Sequence, residues 1–192
     1  NYLDLIIILN FKLNILKLIL KYLTIITKMN NYLVFDLETN GIGKFRPPTQ
    51  TVTQLAFIKF DENGNNLDQY SSLVKGATEI NNSIPSVKFT LDEINSKGID
   101  LKTVLERFLD AIDENTILYA HNAEFDSSII KRDSTKYNLT LPNNKIVCTM
   151  RSSTKFCKIK NEYGLKWPSL SELANTLGVV SDDSNFHDAL YD

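Results

Sequence analysis

The stretch NYLVFDLETNG, residues 31–41, decides how the rest of the chain is interpreted. An apolar run with strand-forming character ends in two acids, Asp36 and Glu38. Residues two apart on a strand point to the same face, so both carboxylates project together from the end of an apolar strand. Carboxylates are costly to desolvate there, and a hard cation with oxygen ligands removes that cost. The pair therefore predicts either a divalent-metal site or two solvated acids at a strand end.

The sequence after Met29 alternates between strand and helix patterns. It predicts an antiparallel meander of three strands, then helices, a strand that leads into a helix, and a final short strand and helix. A T-x-x-E capping box at Thr90 and Glu93 begins the first helix, which ends at Gly98. The predicted strands are 31–37, 51–60, 67–75, 116–121 and 144–149, and the other predicted helices are 100–112, 122–132 and 169–178. This order predicts one α/β domain with a mixed sheet flanked by helices.

A third acid, Asp126, lies in HNAEFD, in the first turn of a helix that follows a strand directly. Asn122 is the predicted N-cap of that helix. Strand ends and helix starts meet at one edge of an α/β sheet, where such folds keep their sites. Asp126 is therefore a candidate to join the first two acids, although an acid in this position also serves the helix dipole.

The chain ends in HDALYD, which contains His187 and Asp192. Five residues correspond to about 500° of helical rotation, so these two side chains do not share one face of a regular helix. The spacing predicts that His187 precedes a helix and that Asp192 lies inside it. His187 is one of two histidines in the chain.

FDLETNG, HNAEFD and HDALYD, in this order, resemble the three motifs of the DEDDh (DnaQ-like) exonuclease family, whose third motif has the form His-x(4)-Asp. The resemblance covers residues 29–192. It implies a ribonuclease H-like fold and a 3′-to-5′ exonuclease that releases nucleoside 5′-monophosphates from single-stranded ends. Two rivals are a non-catalytic nucleic-acid-binding module on the same fold and a membrane-attached adaptor that uses residues 1–28.

The resemblance also implies roles for individual residues. Two divalent ions, Mg²⁺ or Mn²⁺, are expected, with Asp36 bridging them, Glu38 and Asp192 completing one site, and Asp126 supporting the other. His187 is expected to act as the general base towards the attacking water. The expected contacts with the terminal nucleotide are Thr39, Asn40, Gly41, His121, Asn122 and Phe125. Phe125 has two interpretations, since it would either stack on a base or belong to the core.

A lysine-rich stretch with interleaved aromatic residues runs from Lys145 to Trp167. It contains six basic residues and one acid, Glu162. Such a segment either follows a phosphate backbone or is a solvated loop.

The net charge of −2 and the pI near 5.8 exclude a strongly basic protein that wraps nucleic acid, but not an enzyme that grips it locally. Cys148 and Cys157 match no zinc spacing and are expected to be free thiols. We therefore expect an intracellular, reducing compartment. Single-stranded DNA or RNA ends are the expected partners, with a DNA polymerase as a further one, and no membrane is expected.

Residues 1–28 form a separate apolar stretch with a polar stripe at positions 10, 14, 17, 21, 24 and 28. Three interpretations stay open: an amphipathic helix for a membrane surface or a partner, a targeting segment, and translation upstream of a true start at Met29. We favour the third. The exonuclease domain, 29–192, is expected to be truncated at its carboxyl end, because the last residue, Asp192, is itself a predicted ligand.

Overall fold

The computed structural model describes residues 17, 30–41, 50–81, 88–179 and 188–191. The chain divides into two units, Asn1–Asn30 and Asn31–Asp192. Only Lys17, an exposed helical residue, and Asn30 are described in the first unit, so the predictions for residues 1–28 otherwise lie outside the described part. Within the described residues, no helix has the length and apolar character needed to cross a membrane.

A five-stranded mixed sheet forms the centre of the second unit, in the order β3-β2-β1-β4-β5. The strands β1, β2 and β3 form the predicted antiparallel meander, and β4 and β5 run parallel to β1. This arrangement confirms the predicted α/β, ribonuclease H-like fold. The strands are β1 (Asn31–Thr39), β2 (Val52–Phe60), β3 (Asn66–Leu73), β4 (Thr116–Ala120) and β5 (Ile146–Cys148).

Five helices are described: α1 (Leu91–Lys97), α2 (Leu101–Asp110), α3 (Ala123–Lys136), α4 (Thr149–Cys157) and α5 (Leu170–Leu177). The predicted capping box of α1 is present, and Gly98 follows its last residue. Helix α5 begins with a second capping box, from Ser169 and Glu172, and is followed by Gly178, which caps it in the left-handed conformation.

The core lies between one face of the sheet and helices α2 and α3. Leu33, Phe35 and Leu37 alternate along β1 and are buried. Phe35 meets Phe108 of α2 with ring centroids 5.2 Å apart. Each such buried side chain contributes about 1.5–3 kcal/mol of transfer free energy. The core thus fixes β1, and with it the acids at the end of the strand.

The structure differs from the sequence prediction in three places. Helix α3 continues to Lys136, four residues beyond the predicted end. Asn122 occupies the predicted N-cap position, but its backbone is left-handed (φ 66°) and its side chain makes no capping hydrogen bond. Helix α4 and the two-stranded hairpin β6 (Lys160–Asn161) and β7 (Gly164–Leu165) were not predicted. Residues 42–49, between β1 and β2, lie outside the described residues.

Candidate active site

The end of β1 carries two of the predicted ligands. Asp36 and Glu38 lie on one side of the strand, opposite the buried Leu37, and both are half-buried. Across the strand pair they face Ala56 and Gln54 of β2. The predicted shared orientation of the two carboxylates is therefore present in the strand.

A β-bulge follows the two acids. Glu38 pairs with Gln54 and Thr39 pairs with Val52, so Thr53 is one extra residue in β2. Bulges increase the local twist, bend the strand and change the direction in which side chains point. The ladder is thus irregular at the point where the chain leaves the acidic strand end.

The carboxyl group of Asp126 lies against β1. The side chain is only 2% exposed, and the backbone N–H of Leu37 hydrogen-bonds to it, as does its own backbone N–H. Burial raises the pKa of Asp126 to about 7, although both N–H groups favour the ionised form. Since Leu37 lies between Asp36 and Glu38 in β1, this contact brings the third acid to the same strand end.

The predicted metal ligands are all carboxylates. Within the described residues, no group of three or more His, Cys, Asp or Glu side chains forms a metal-binding cluster. The described part contains three of the four predicted ligands, and the fourth, Asp192, lies outside it, as does His187. Oxygen ligands alone suit Mg²⁺ or Mn²⁺, and a nearby cation would favour the ionised form of the buried Asp126. The chemistry of the donors therefore fits such ions.

The segment between His187 and Asp192 is described, and β2 holds it. The side chain of Gln54, which is 4% exposed, donates from Nε2 to Oδ1 of Asp188 at 3.0 Å. Its Oε1 accepts the backbone N–H of Ala189 at 3.2 Å. Gln54 is therefore a functional candidate that the sequence analysis missed. A polar residue inside the apolar β2 run was the available signal.

Residues 189–191 form a turn over the sheet. A cavity of about 190 Å³ separates them from the β1 and β2 strands, and Asp36 lines it together with Ala189, Leu190 and Tyr191. A larger cavity of about 740 Å³ runs along α3 and residues 138–144 but is lined by none of the predicted metal ligands. The smaller cavity is therefore the candidate for the active site, because a predicted metal ligand lines it.

The turn after the acids is held by buried polar side chains. Thr39 is 7% exposed and Asn40 is 3% exposed. Oδ1 of Asn40 accepts the backbone N–H of Thr51 at 3.0 Å, and its backbone carbonyl accepts the N–H of Asn81 at 2.9 Å. Gly41 follows with φ +123°. These groups fix the turn, and their predicted contact with the terminal nucleotide stays a prediction.

His121 joins the site edge to α4 and α5. Its Nε2 donates to the backbone carbonyl of Pro168 at 3.1 Å, which requires the neutral ring to carry its proton on Nε2. Nδ1 lies 3.1 Å from Oγ1 of Thr149. Burial lowers the pKa of His121, although the contact with the Pro168 carbonyl opposes this. Both ring nitrogens thus have protein partners.

The other residues predicted to contact substrate lie beside Asp126. Phe125 is half-buried and packs against the core cluster, as one of its two interpretations expected. Asn122 is exposed at the start of α3.

Cys148 and Cys157 are free thiols, as predicted.

Comparison with known proteins assigns the family. The exonuclease family model RNase T matches residues 33–192. Curated relatives include PolC-type DNA polymerase III of Mycoplasmopsis pulmonis (strain UAB CTIP), 26% identical over 161 residues that make up 84% of this chain and 10% of the polymerase. The same enzyme of Staphylococcus aureus is 26% identical over 168 residues, which are 88% of this chain and 11% of the polymerase. The chain spans about a tenth of the length of these relatives.

Two solved structures share the fold. One is the nuclease domain of 3′hExo, a DEDDh family member bound to rAMP, with a TM-score of 0.66, 15% identity and coverage of 85% of this chain and 86% of that chain. The other is cell-death related nuclease 4, with a TM-score of 0.66, 15% identity and coverage of 86% and 60%. The family match extends over most of the chain and the fold agrees with it, which confirms the recognition from the three motifs: the chain belongs to the exonuclease family RNase T.

Proposed function

We propose that this exonuclease removes nucleotides one at a time from the 3′ ends of single-stranded nucleic acid and releases nucleoside 5′-monophosphates. The observation that carries the proposal is the hydrogen bond of the Asp126 carboxyl group to the amide of Leu37, between Asp36 and Glu38. The Asp126 carboxyl group of α3 thus contacts the backbone between the two acids of β1. The family match supports nuclease chemistry in this chain.

Asp36, Glu38, Asp126 and Asp192 would hold two divalent ions, Mg²⁺ or Mn²⁺. When bound, these ions supply Lewis-acid stabilisation of the charge that develops on the phosphate. The protein's part is to keep the carboxylates ionised and in place. The buried Asp126 needs a nearby cation most, because burial alone raises its pKa.

His187 is the proposed general base. A water molecule attacks the phosphorus, its proton passes to the imidazole, and the bond from phosphorus to the 3′ oxygen of the preceding nucleotide breaks. That oxygen leaves with the shortened strand and takes up a proton, and the phosphate stays on the 5′ oxygen of the released nucleotide. The ordinary pKa of histidine, near neutrality, suits this transfer.

The test uses 5′-end-labelled single-stranded DNA and RNA of the same sequence, side by side, with Mg²⁺, Mn²⁺ or EDTA. We expect a ladder that shortens from the 3′ end, nucleoside 5′-monophosphates as products, and no reaction in EDTA. Asp126→Asn should be inactive. Glu62→Gln, a similar carboxyl-to-amide change in the exposed turn between β2 and β3, is the matched control and should retain wild-type activity. Cleavage from the 5′ end, or full turnover in EDTA, would overturn the proposal.

Proofreading beside a DNA polymerase is a narrower second proposal. It rests on the PolC-type polymerases among the relatives. A proofreading enzyme removes a mispaired 3′ terminus faster than a paired one, since a mispaired end frays into a single strand. Equal rates on matched and mismatched primer ends would contradict this narrower proposal and leave the general one standing.

A further inference from the structure

The segment that includes α4, the β6–β7 hairpin and Trp167 exposes three aromatic side chains. Tyr163 at the hairpin turn is 88% exposed, Phe156 in the last turn of α4 is 59% exposed, and Trp167 is 56% exposed. Single exposed aromatics are ordinary, but three within twelve residues need a reason. We call these three side chains, together with Lys155, Lys158 and Lys160, the hairpin surface.

The hairpin surface is positively charged in a chain whose net charge is negative. Residues 145–167 contain six basic residues and one acid, whereas the whole chain has a net charge of −2. Lys166 is paired with Glu172 at 2.7 Å, and Arg151 is paired with Glu124. In the described part of the chain, the three lysines of the hairpin surface form no ion pair. Their charge is thus available to a polyanion, while the rest of the protein is acidic.

The hairpin is built to present these groups. Lys158 has φ 53°, which ends α4 and turns the chain into β6. Lys160 pairs with Leu165, and the N–H of Lys166 donates to the carbonyl of Ile159 at 3.0 Å. The residues between the strands are exposed. A short ladder therefore holds Tyr163 away from the core.

Contacts connect the hairpin surface to the active site. Pro168, directly after Trp167, accepts the hydrogen bond from His121. The guanidinium of Arg151 lies 5.1 Å from the ring centroid of Trp167 and is ion-paired with Glu124, two residues before Asp126. The first turn of α3 thus carries both Asp126 and Glu124, the ion-pair partner of the arginine that lies over the Trp167 ring. A nucleic-acid strand whose 3′ end lies at Asp126 would therefore have the hairpin surface beside it.

We propose that the hairpin surface binds the unpaired nucleotides that precede the 3′ end, with lysines on phosphates and aromatic rings on bases. The inference rests on the proposed function and names the path of its substrate. Every base has a π face, so the stacking is tolerant of sequence, and it contributes a factor of about five or more in affinity per base. A duplex keeps its bases stacked inside and offers no such faces.

The experiment uses the chain's single tryptophan. The full chain in EDTA, which prevents hydrolysis, is titrated with oligo(dT) of increasing length while Trp167 fluorescence is recorded. We expect saturable quenching that strengthens with length, and at least tenfold weaker quenching by a blunt duplex. Each lysine that neutralises a phosphate adds about 0.7 to the slope of log affinity against log salt. The double variant Lys158→Gln/Lys160→Gln should lower that slope by about 1.4. Lys131→Gln, which changes an exposed lysine of α3, should leave the slope unchanged.

Kinetics then separate this inference from the proposed function. Tyr163→Ala should raise KM for a twelve-nucleotide strand about tenfold and leave the hydrolysis of a dinucleotide unchanged. Leu67→Ala removes an apolar side chain that is 51% exposed on the opposite edge strand, β3, and should change neither. Length-dependent quenching without any hydrolysis would overturn the proposed function and support the surface. Normal hydrolysis without any quenching would overturn the proposed role of the hairpin surface. Quenching by a blunt duplex or by anionic lipid vesicles that equals the quenching by oligo(dT) would also overturn it.

Discussion

Gln54 Nε2 donates to Asp188 Oδ1 at 3.0 Å, and so joins two residues that lie 134 positions apart in the chain. The same amide accepts the backbone N–H of Ala189 through its oxygen. Lys88 adds an ion pair to Asp188 at 3.4 Å. One buried side chain on β2, in register with Glu38, therefore fixes the segment that lies between His187 and Asp192. We expect catalysis to depend on this contact because a site must be held to within about 0.5 Å.

The first prediction reverses the hydrogen bond between Gln54 and Asp188. Gln54→Glu keeps the shape and the acceptor for Ala189, but it loses the donor and sets two carboxylates against each other. We expect kcat to fall at least tenfold. Adding Asp188→Asn restores a donor–acceptor pair in the opposite direction and should recover most of kcat.

The control for this reversal is Gln69→Glu, the same chemical change on the exposed strand β3, which should leave kcat unchanged. Melting temperatures are measured in parallel. If the double variant regains its melting temperature but not its kcat, the contact is structural only and does not position the catalytic segment.

The second prediction concerns Asp126→Asn, which should abolish hydrolysis and yet raise the melting temperature in EDTA. A buried carboxyl group whose pKa is raised to about 7 opposes folding near neutral pH when no cation is present, and an amide carries no charge there. Calorimetry with and without Mn²⁺ checks this result. Mn²⁺ should stabilise the wild type more than the variant, and equal stabilisation of both would remove Asp126 from the ligand set.

The third prediction separates proton transfer from metal binding. His187→Ala should lower kcat by about 10² to 10⁴, the usual contribution of a general base, while Mn²⁺ affinity stays within about twofold. Titration calorimetry on the metal-free chain measures that affinity. A large loss of Mn²⁺ affinity would show that His187 is a ligand, and the proposed mechanism would then need a different base.

Local signals explain which parts of the fold the sequence predicted well. The alternation in β1 and the capping box of α1 are set by residues that are neighbours in the chain, so their patterns are visible without the fold. The two carboxylates at the end of β1 were identified for the same reason. Asp126 needed one further rule, that helix starts and strand ends share an edge of the sheet.

Helix α4 could not be predicted in this way. Its apolar residues, Met150, Phe156 and Cys157, do not recur at spacings of three and four, so the sequence shows no apolar stripe. Its Ser and Thr residues have modest helix propensity, and Ser153 and Thr154 instead donate to carbonyls one turn back. Gln54 was missed for a different reason, because its role depends on contacts that are distant in the sequence. A buried amide in β2 can be noticed in the sequence, but its partners lie at the far end of the chain.

The fourth prediction concerns pH and His121. Burial holds the pKa of this ring below its ordinary value of 6.5 in the folded protein. The unfolded chain therefore binds the proton first, and stability should fall as the pH drops through 6.5 towards the folded pKa. Urea unfolding in EDTA between pH 7.5 and 5.5 measures this slope. His121→Gln should flatten it, and an unchanged slope would assign the pH dependence to another group.

The last prediction tests whether the turn after the acids needs glycine for space as well as for backbone freedom. Gly41 has φ +123°, and a Cβ there would lie 2.7 Å from Cβ of Asn81, which real Cβ atoms do not tolerate. Gly76 has a similar φ of +112° but nothing within 4 Å of its virtual Cβ. Both Gly→Ala variants carry the backbone strain of positive φ, about 1–3 kcal/mol, and only Gly41→Ala adds the clash.

Because Asn40 and Gly41 directly follow the acidic strand end, displacement of this turn should reach Glu38. We expect Gly41→Ala to unfold at a lower urea concentration than Gly76→Ala and to lose at least tenfold in kcat, while Gly76→Ala keeps wild-type kcat despite its strain. Activity is measured well below the unfolding transition, so that loss of folded protein does not count as loss of catalysis. Equal stability and equal kcat for the two variants would mean that the Asn81 backbone gives way easily and that the turn does not hold the acids.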